Sequence, residues 1–254
     1  MTEATIDLNV DAGESYGAWS MGDDVALFAE VSSANLACGF HAGDPGTIRT
    51  SLAAAIAAGV AIGAHPGLPD LVGFGRRPLV MTPQQTRDDT LYQVGAMYGF
   101  VRAAGVELHH VKPHGALNTA VAESSDEHAD AIVEAVHSFD AGLPLVAIAN
   151  SRLQRAAERL GHPVVAEAFP DRAYAPDGSL ARRGTPGAII HDADIAAARA
   201  VRMVVDGTVE AVDGSVVQLA AGTLCIHGDN PGSVATARAI RAALEREGVS
   251  ISAF

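Results

Sequence analysis

The sequence predicts an α/β fold in which parallel strands alternate with helices, arranged either as a barrel or as an open doubly wound sheet. Two observations carry this reading. Seven short apolar runs alternate with Ala-rich stretches at helical spacing. Ionisable residues collect just after six of those runs, the rim on which parallel α/β folds build their sites. A length of 254 residues, 48% of them hydrophobic, suits one domain over 1–254 with a large core.

The elements follow in order. Strands are expected at 6–10, 34–38, 61–64, 108–111, 145–149, 164–168 and 223–226. Helices are expected at 45–58, 83–104, 126–137, 151–160, 192–205 and 231–247. Gly59, Gly105, Gly161 and Gly248 each follow a helical run, where a left-handed cap belongs. Asp44-Pro45 and Asn230-Pro231 read as helix starts, a capping side chain followed by Pro at the first helical position; each could also receive an anion on free N–H groups. The segment 208–219 breaks the rhythm. Asp213-Gly214 between Val-rich runs predicts a β-hairpin inserted before the last strand.

Composition removes several function classes. A formal net charge of -13 disfavours phosphate-backbone binding to nucleic acid and docking on anionic lipid. No apolar run approaches the ~18 residues that span a bilayer. The first eleven residues carry Glu3 and Asp7 and lack a basic flank, so no secretory leader is expected. Two cysteines, Cys38 and Cys225, suit free thiols in a reducing compartment, and a cytoplasmic protein is expected. No Gly-x-x-x-x-Gly-Lys-Ser/Thr loop or Gly-x-Gly-x-x-Gly turn is present. A homo-oligomer is compatible with the sequence.

Of 17 basic residues, only Lys112 is Lys. Strand alternation in 108–115 puts His110, Lys112 and His114 on one face, with His109 and Val111 on the other. A Lys turned inward needs an anion, whether substrate or an internal partner such as Asp7, Asp11 or Glu167. His109 is expected as a hydrogen-bonded histidine between sheet and helix. In the first strand Asp7, Asn9 and Asp11 share a face, followed by Glu14. Asn35, His41 and Asp44 follow the second strand, His65 the third, Glu167, Asp171 and Arg172 the sixth, and His227 and Asp229 the last. This inventory suits acid–base hydrolysis. It contains no His-Glu-x-x-His and no Cys-x-x-Cys, so no metal ligand is assigned and a divalent metal stays open.

These motifs together resemble one family. The blocks are Asp7-Leu8-Asn9-x-Asp11-x-Gly13-Glu14, Cys38-Gly39-Phe40-His41-Ala42-Gly43-Asp44-Pro45, Gly63-Ala64-His65-Pro66, Gly73-Phe74-Gly75-Arg76-Arg77, His110-Val111-Lys112-Pro113-His114-Gly115, Glu167-x-Phe169-x-Asp171-Arg172 and His227-Gly228-Asp229. They are similar to the LamB/YcsF family from Ile6 to about Arg246. Val10 stands where the family pattern has Cys, and Ser15-Tyr16-Gly17 replaces Gly-Phe-Gly. The resemblance implies a (β/α)7 distorted TIM-like barrel of the glycoside hydrolase/deacetylase type. It implies the role of the A subunit in 5-oxoprolinase: ATP-dependent hydrolytic opening of the 5-oxoproline lactam to L-glutamate, with subunits B and C. ATP would then be cosubstrate, held mainly by the partners. Related deacetylases bind metal through an Asp and two His; no such set is carried over here.

On that reading Asp11 or Glu14, with His41 or His65, activates water, and Lys112 pairs with the substrate carboxylate or phosphoryl oxygens. His110, His114 and His227 serve oxyanions or the leaving nitrogen, and Arg76 or Arg77 closes over the anion. Asn9, Asn35, Asp44, Glu167, Asp171, Arg172 and Asp229 complete the expected binding set. Two other readings remain. A stand-alone metal-dependent deacetylase or amidohydrolase would hold stoichiometric metal and work without ATP. A non-catalytic chain that only presents substrate would tolerate loss of Asp11, Lys112 or His114.

Overall fold

The computed structural model describes residues 4–182, 184–228 and 232–254. Period-two alternation sets the first strand, β1 (Thr5–Ala12): Ile6, Leu8 and Val10 join the apolar core, while Asp7, Asn9 and Asp11 turn into the barrel. Parallel strands β2 (Ser33–Ala37), β3 (Ala61–His65), β4 (His110–Val111), β5 (Leu145–Ile148) and β6 (Val164–Ala168) follow in spatial order. A hairpin of β7 (Thr208–Glu210) and β8 (Val216–Gln218) forms its own two-stranded sheet. The last barrel strand, β9 (Thr223–Ile226), pairs with β6 on one side and β1 on the other. That pairing closes a seven-stranded barrel and removes the open-sheet alternative. β10 (Ser250–Ile251) adds to the outer end of β1.

Helices α1 (Asp24–Phe28), α2 (Pro45–Ala58), α3 (Pro83–Ala103), α4 (Ala122–Ser124), α5 (Asp126–Phe139), α6 (Arg152–Leu160), α7 (Ala193–Val201) and α8 (Ser233–Arg246) surround it. Their starts follow capping chemistry. Asp44 caps α2 with Pro45 behind it, and Thr82 and Gln85 form a capping box on α3. α2 and α6 end at Gly59 and Gly161 in the left-handed region, φ 71° and 68°. The expected helix over 192–205 divides: α7 stops at Val201 and a π-turn runs over Arg202–Asp206. α8 begins at Ser233; the expected Asn230-Pro231 cap lies outside the described residues.

The fourth strand is shorter than its sequence suggests. His109 and Lys112 still donate N–H to the carbonyls of Ile62 and Ala64, but Pro113 has no N–H to extend the ladder. Lys112 therefore stands where β4 ends and the loop begins. Among the described residues, no helix is long and apolar enough to cross a membrane.

Candidate active site

The site begins with the lone lysine. Lys112 is 3% exposed. Its ammonium lies 2.8 Å from Asp11 Oδ1, 2.7 Å from Glu167 Oε1, 3.0 Å from Asn9 Oδ1 and 2.9 Å from Cys225 Sγ. Burial alone would drive the amine neutral. The negative groups around it, Asp11 first, outweigh that cost and hold its pKa well above the usual value. Burial would likewise raise Asp11, but neighbouring His65 and Lys112 hold its carboxyl well below the carboxylate range. Glu167 moves the other way: burial pushes it up, and Lys112 offsets only part because Asp11 competes for the same charge. Burial keeps both cysteines as thiols, Cys225 well above its ordinary value and Cys38 pushed up to about 12. Neither is a ready nucleophile.

A polar floor supports this ion pair. Asn9 Nδ2 donates to Glu167 Oε1 at 3.0 Å and Thr223 Oγ1 at 2.7 Å. Asn35 Nδ2 donates to Asn9 Oδ1 and Asp11 Oδ1, at 2.8 and 3.0 Å, and His110 Nε2 donates to Asn35 Oδ1 at 2.7 Å. Asp7 lies deeper and accepts from Ser32, Ser33 and Thr223. It is not a partner of Lys112. Asn9, Asn35 and His110, expected to bind substrate, are therefore corrected to buried struts. Each is 2% exposed or less, and none lines the cavity.

A second cluster lies beside Asp11. Glu14, His41, His65 and His114 each offer one ligand-type atom, all within 4.8 Å of one another. His65 Nε2 is 3.4 Å from Asp11 Oδ2 and 3.0 Å from His114 Nδ1. Burial pulls His41 and His114 well below the ordinary histidine value. Close backbone approach makes room for these rings. A Cβ on Gly67 would stand 2.4 Å from His41 Nδ1, and one on Gly75 would stand 2.9 Å from His114 Cδ2. Phe74, at φ 55°, turns its carbonyl onto His114 Nε2 at 2.9 Å.

Both groups open on a cavity of about 610 Å³ at the C-terminal ends of the strands. Asp11, His65, Lys112, His114, Glu167 and His227 form its wall; Arg76, Arg172 and Arg182 also line it. His227 Nδ1 meets Asp171 Oδ2 at 2.7 Å. Burial would raise Asp171, yet the His227 contact holds it below the usual value. Asp171 thus stands behind His227 and does not face the cavity. The Arg172 guanidinium donates to the carbonyls of Ala188 and Ala181. Arg76 lies 4.8 Å over the Phe74 ring.

Two further expectations are corrected. Asp44 is spent on structure: it accepts from Gly46, Thr47 and Gly17 and caps α2, and these contacts hold its pKa at about 2. Arg77 forks onto Asp70 outside the cavity, with its side chain 63% exposed. Asp229 lies outside the described residues. His109 donates to the carbonyl of Phe254, not to a helix. Sequence reasoning misses Thr223, Phe74 and Arg182. Alternation with Cys225 and His227 could have marked Thr223 as inward-facing; nothing local marks Phe74.

Proteins of known name share this sequence and architecture. The 5-oxoprolinase A subunit of Thermus thermophilus is 54% identical over 249 residues, covering 98% of this chain and 99% of its own length. The 5-oxoprolinase A subunit of Bordetella pertussis is 52% identical over 248 residues, covering 98% of each. The crystal structure of the lactam utilization protein from Thermus thermophilus superposes with a TM-score of 0.93 at 53% identity, covering 98% of this chain and 100% of that one. A putative cellobiose-phosphate cleavage protein from Enterococcus faecalis V583 shares the fold alone, with a TM-score of 0.54 at 11% identity over 99% of this chain and 97% of that one. The model of the LamB/YcsF family matches residues 6–254, and this chain belongs to that family.

Proposed function

We propose that this chain is the A subunit of a 5-oxoprolinase and that its barrel opens the lactam of 5-oxoproline to L-glutamate, coupled to ATP hydrolysis with subunits B and C. The observation that carries the proposal is the Lys112 ammonium, buried between Asp11 and Glu167 at the wall of an arginine-lined cavity. Relatives at about half identity over the full chain are named as the A subunit of 5-oxoprolinase.

Opening a five-membered lactam breaks amide resonance, which is why ATP is spent. A phosphoryl group placed on the amide oxygen makes the ring carbon electrophilic. This chain has no Walker-type loop, so holding the phosphoryl donor falls to the partner subunits. The substrate carboxylate sits on Arg76 and Arg182, since Lys112 is already saturated by its own partners.

Asp11 is too acidic to be an efficient general base; held ionised by His65 and Lys112, it orients the attacking water instead. His227, backed by Asp171, takes the water proton as the C–O bond forms. The ring C–N bond then breaks as the new hydroxyl loses its proton and closes to C=O, leaving an acyl phosphate, and His227 returns its proton to the nitrogen, which becomes the glutamate amine. The oxygen-bound phosphoryl leaves as phosphate after a second water.

The test is reconstitution of this chain with subunits B and C, following glutamate and ADP from 5-oxoproline. Both products should require all three subunits. Asp11→Asn should cost at least ~100-fold in turnover, the scale of a lost charge at a reacting centre. Full turnover by Asp11→Asn would overturn the assignment.

A further inference from the structure

The tautomers of two histidines leave an unbalanced spot in the cavity wall. His65 Nδ1 donates to the Lys112 carbonyl at 2.6 Å, so in the neutral ring Nε2 carries a lone pair. His114 Nε2 donates to the Phe74 carbonyl at 2.9 Å, so Nδ1 carries a lone pair too. Those two lone-pair nitrogens face each other at 3.0 Å. Glu14 Oε1, a third acceptor, is 3.4 Å from His114 Nδ1 and 4.0 Å from His65 Nε2. Three acceptors with no proton between them repel one another. Only a cation or one extra proton relieves this.

The spacing discriminates between these two. A triangle with sides of 3.0, 3.4 and 4.0 Å has its centre about 2.1 Å from each corner, the length of a zinc–nitrogen or zinc–carboxylate bond. We infer that Glu14, His65 and His114 form a binding site for one divalent transition-metal ion of the zinc class. Two imidazoles and one carboxylate suit borderline ions over Mg2+ or Ca2+ and leave a coordination position for substrate or water. Such an ion supplies Lewis acidity toward a lactam or phosphoryl oxygen.

Two neighbouring groups are excluded by geometry. His41 is stacked on His114, ring centroids 3.8 Å apart and planes within 3°. An imidazole binds metal in its own plane, so an ion in the plane of His114 is out of the plane of His41. His41 Nε2 instead donates to Glu14 Oε1 at 3.3 Å, leaving Nδ1 as a buried acceptor without a partner. That orients Glu14 as an outer-sphere residue does. Asp11, Cys225 and His227 also lie close together, but the Lys112 ammonium already supplies a cation to Asp11 and Cys225. The absence of a local metal motif in the sequence is therefore no guide, because the three ligands come from separate strand ends.

The metal site stands on geometry and is independent of the proposed reaction, so its readout is binding. The purified chain, stripped with chelator, is titrated with Co2+ and followed by visible absorption and by metal content after dialysis. One Co2+ per chain is expected, with imidazole-coordinated d–d bands. His65→Ala and His114→Ala should abolish it while keeping the wild-type circular dichroism. Glu14→Gln serves where a histidine variant does not fold. His41→Phe should keep one ion, weakened about 10- to 100-fold. No stoichiometric Co2+, Co2+ lost in Cys225→Ser and kept in His65→Ala, or a proton shared between His65 and His114 that Co2+ leaves undisturbed would each overturn the site. Lactam opening can fail while Co2+ binds, or the reverse, so the two proposals are separable.

Discussion

At the scale of residues, one ammonium decides the electrostatics of the whole cavity. Two carboxylates are packed against Lys112: Glu167, fully buried, and Asp11, at the cavity wall. Lys112→Met removes the cation and leaves both carboxylates together, the costly way to break a buried pair. A loss of about 3–5 kcal/mol of stability is expected. Turnover should also fall, because the Asp11 carboxyl would rise from its depressed value once the Lys112 charge is gone. Lys112→Arg is not a rescue, since a guanidinium has no room with Cys225 2.9 Å from the ammonium. Denaturant melts and the three-subunit assay check both; a Met variant as stable as wild type would contradict the ion-pair account. Gly67→Ala probes the second cluster. Its new Cβ would displace His41, and with it Glu14, so Co2+ binding by the stripped chain should weaken about 10- to 100-fold.

At the scale of elements, legibility in the sequence followed locality. Period-two alternation correctly turned Asp7, Asn9 and Asp11 into the barrel and marked Lys112 as inward-facing. What alternation could not separate was depth along the barrel. His110 and His114 share a face with Lys112, yet His110 lies in the floor and His114 in the histidine cluster. Glu14, His65 and His114 carry no common spacing, because only barrel closure brings their strand ends together. Asp44 was legible both as a cap and as an anion ligand; the four hydrogen bonds it accepts settle its role as the cap. That role has a pH signature. Its folded pKa is depressed from 3.8 to about 2, so the stabilisation is present above the unfolded value and is lost as pH falls through 2. Asp44→Ala should melt below wild type at pH 7, and the gap should narrow between pH 4 and 2. A gap that stays constant over that range would show that the carboxylate charge plays no part.

At the scale of the molecule, closure through β1 and β9 ties the barrel strands into one cooperative unit, whereas the hairpin forms a ladder of its own. β1 pairs with β2, β9 and β10 at once, and Thr223 of β9 bonds both Asp7 and Asn9 of β1. Opening β1 therefore breaks two ladders and the polar floor together, which is close to global unfolding. β7 and β8 pair only with each other in a ladder; side chains tie them to the rest, through Asn150 on the Gln218 carbonyl, Arg202 on Thr208 and Glu210, and Val209 buried in the common core. Amides of β1 and β9 are expected to exchange only through global unfolding, and those of β7 and β8 through cheaper local opening. Native-state hydrogen exchange read across low denaturant tests this. Protection in β1 should fall steeply with the stability of the whole, while rates in the hairpin should hardly depend on denaturant. Equal protection and equal denaturant dependence in both would mean that the hairpin belongs to the barrel's folding unit, and that substitutions in it would reach the cavity as directly as those in the strands.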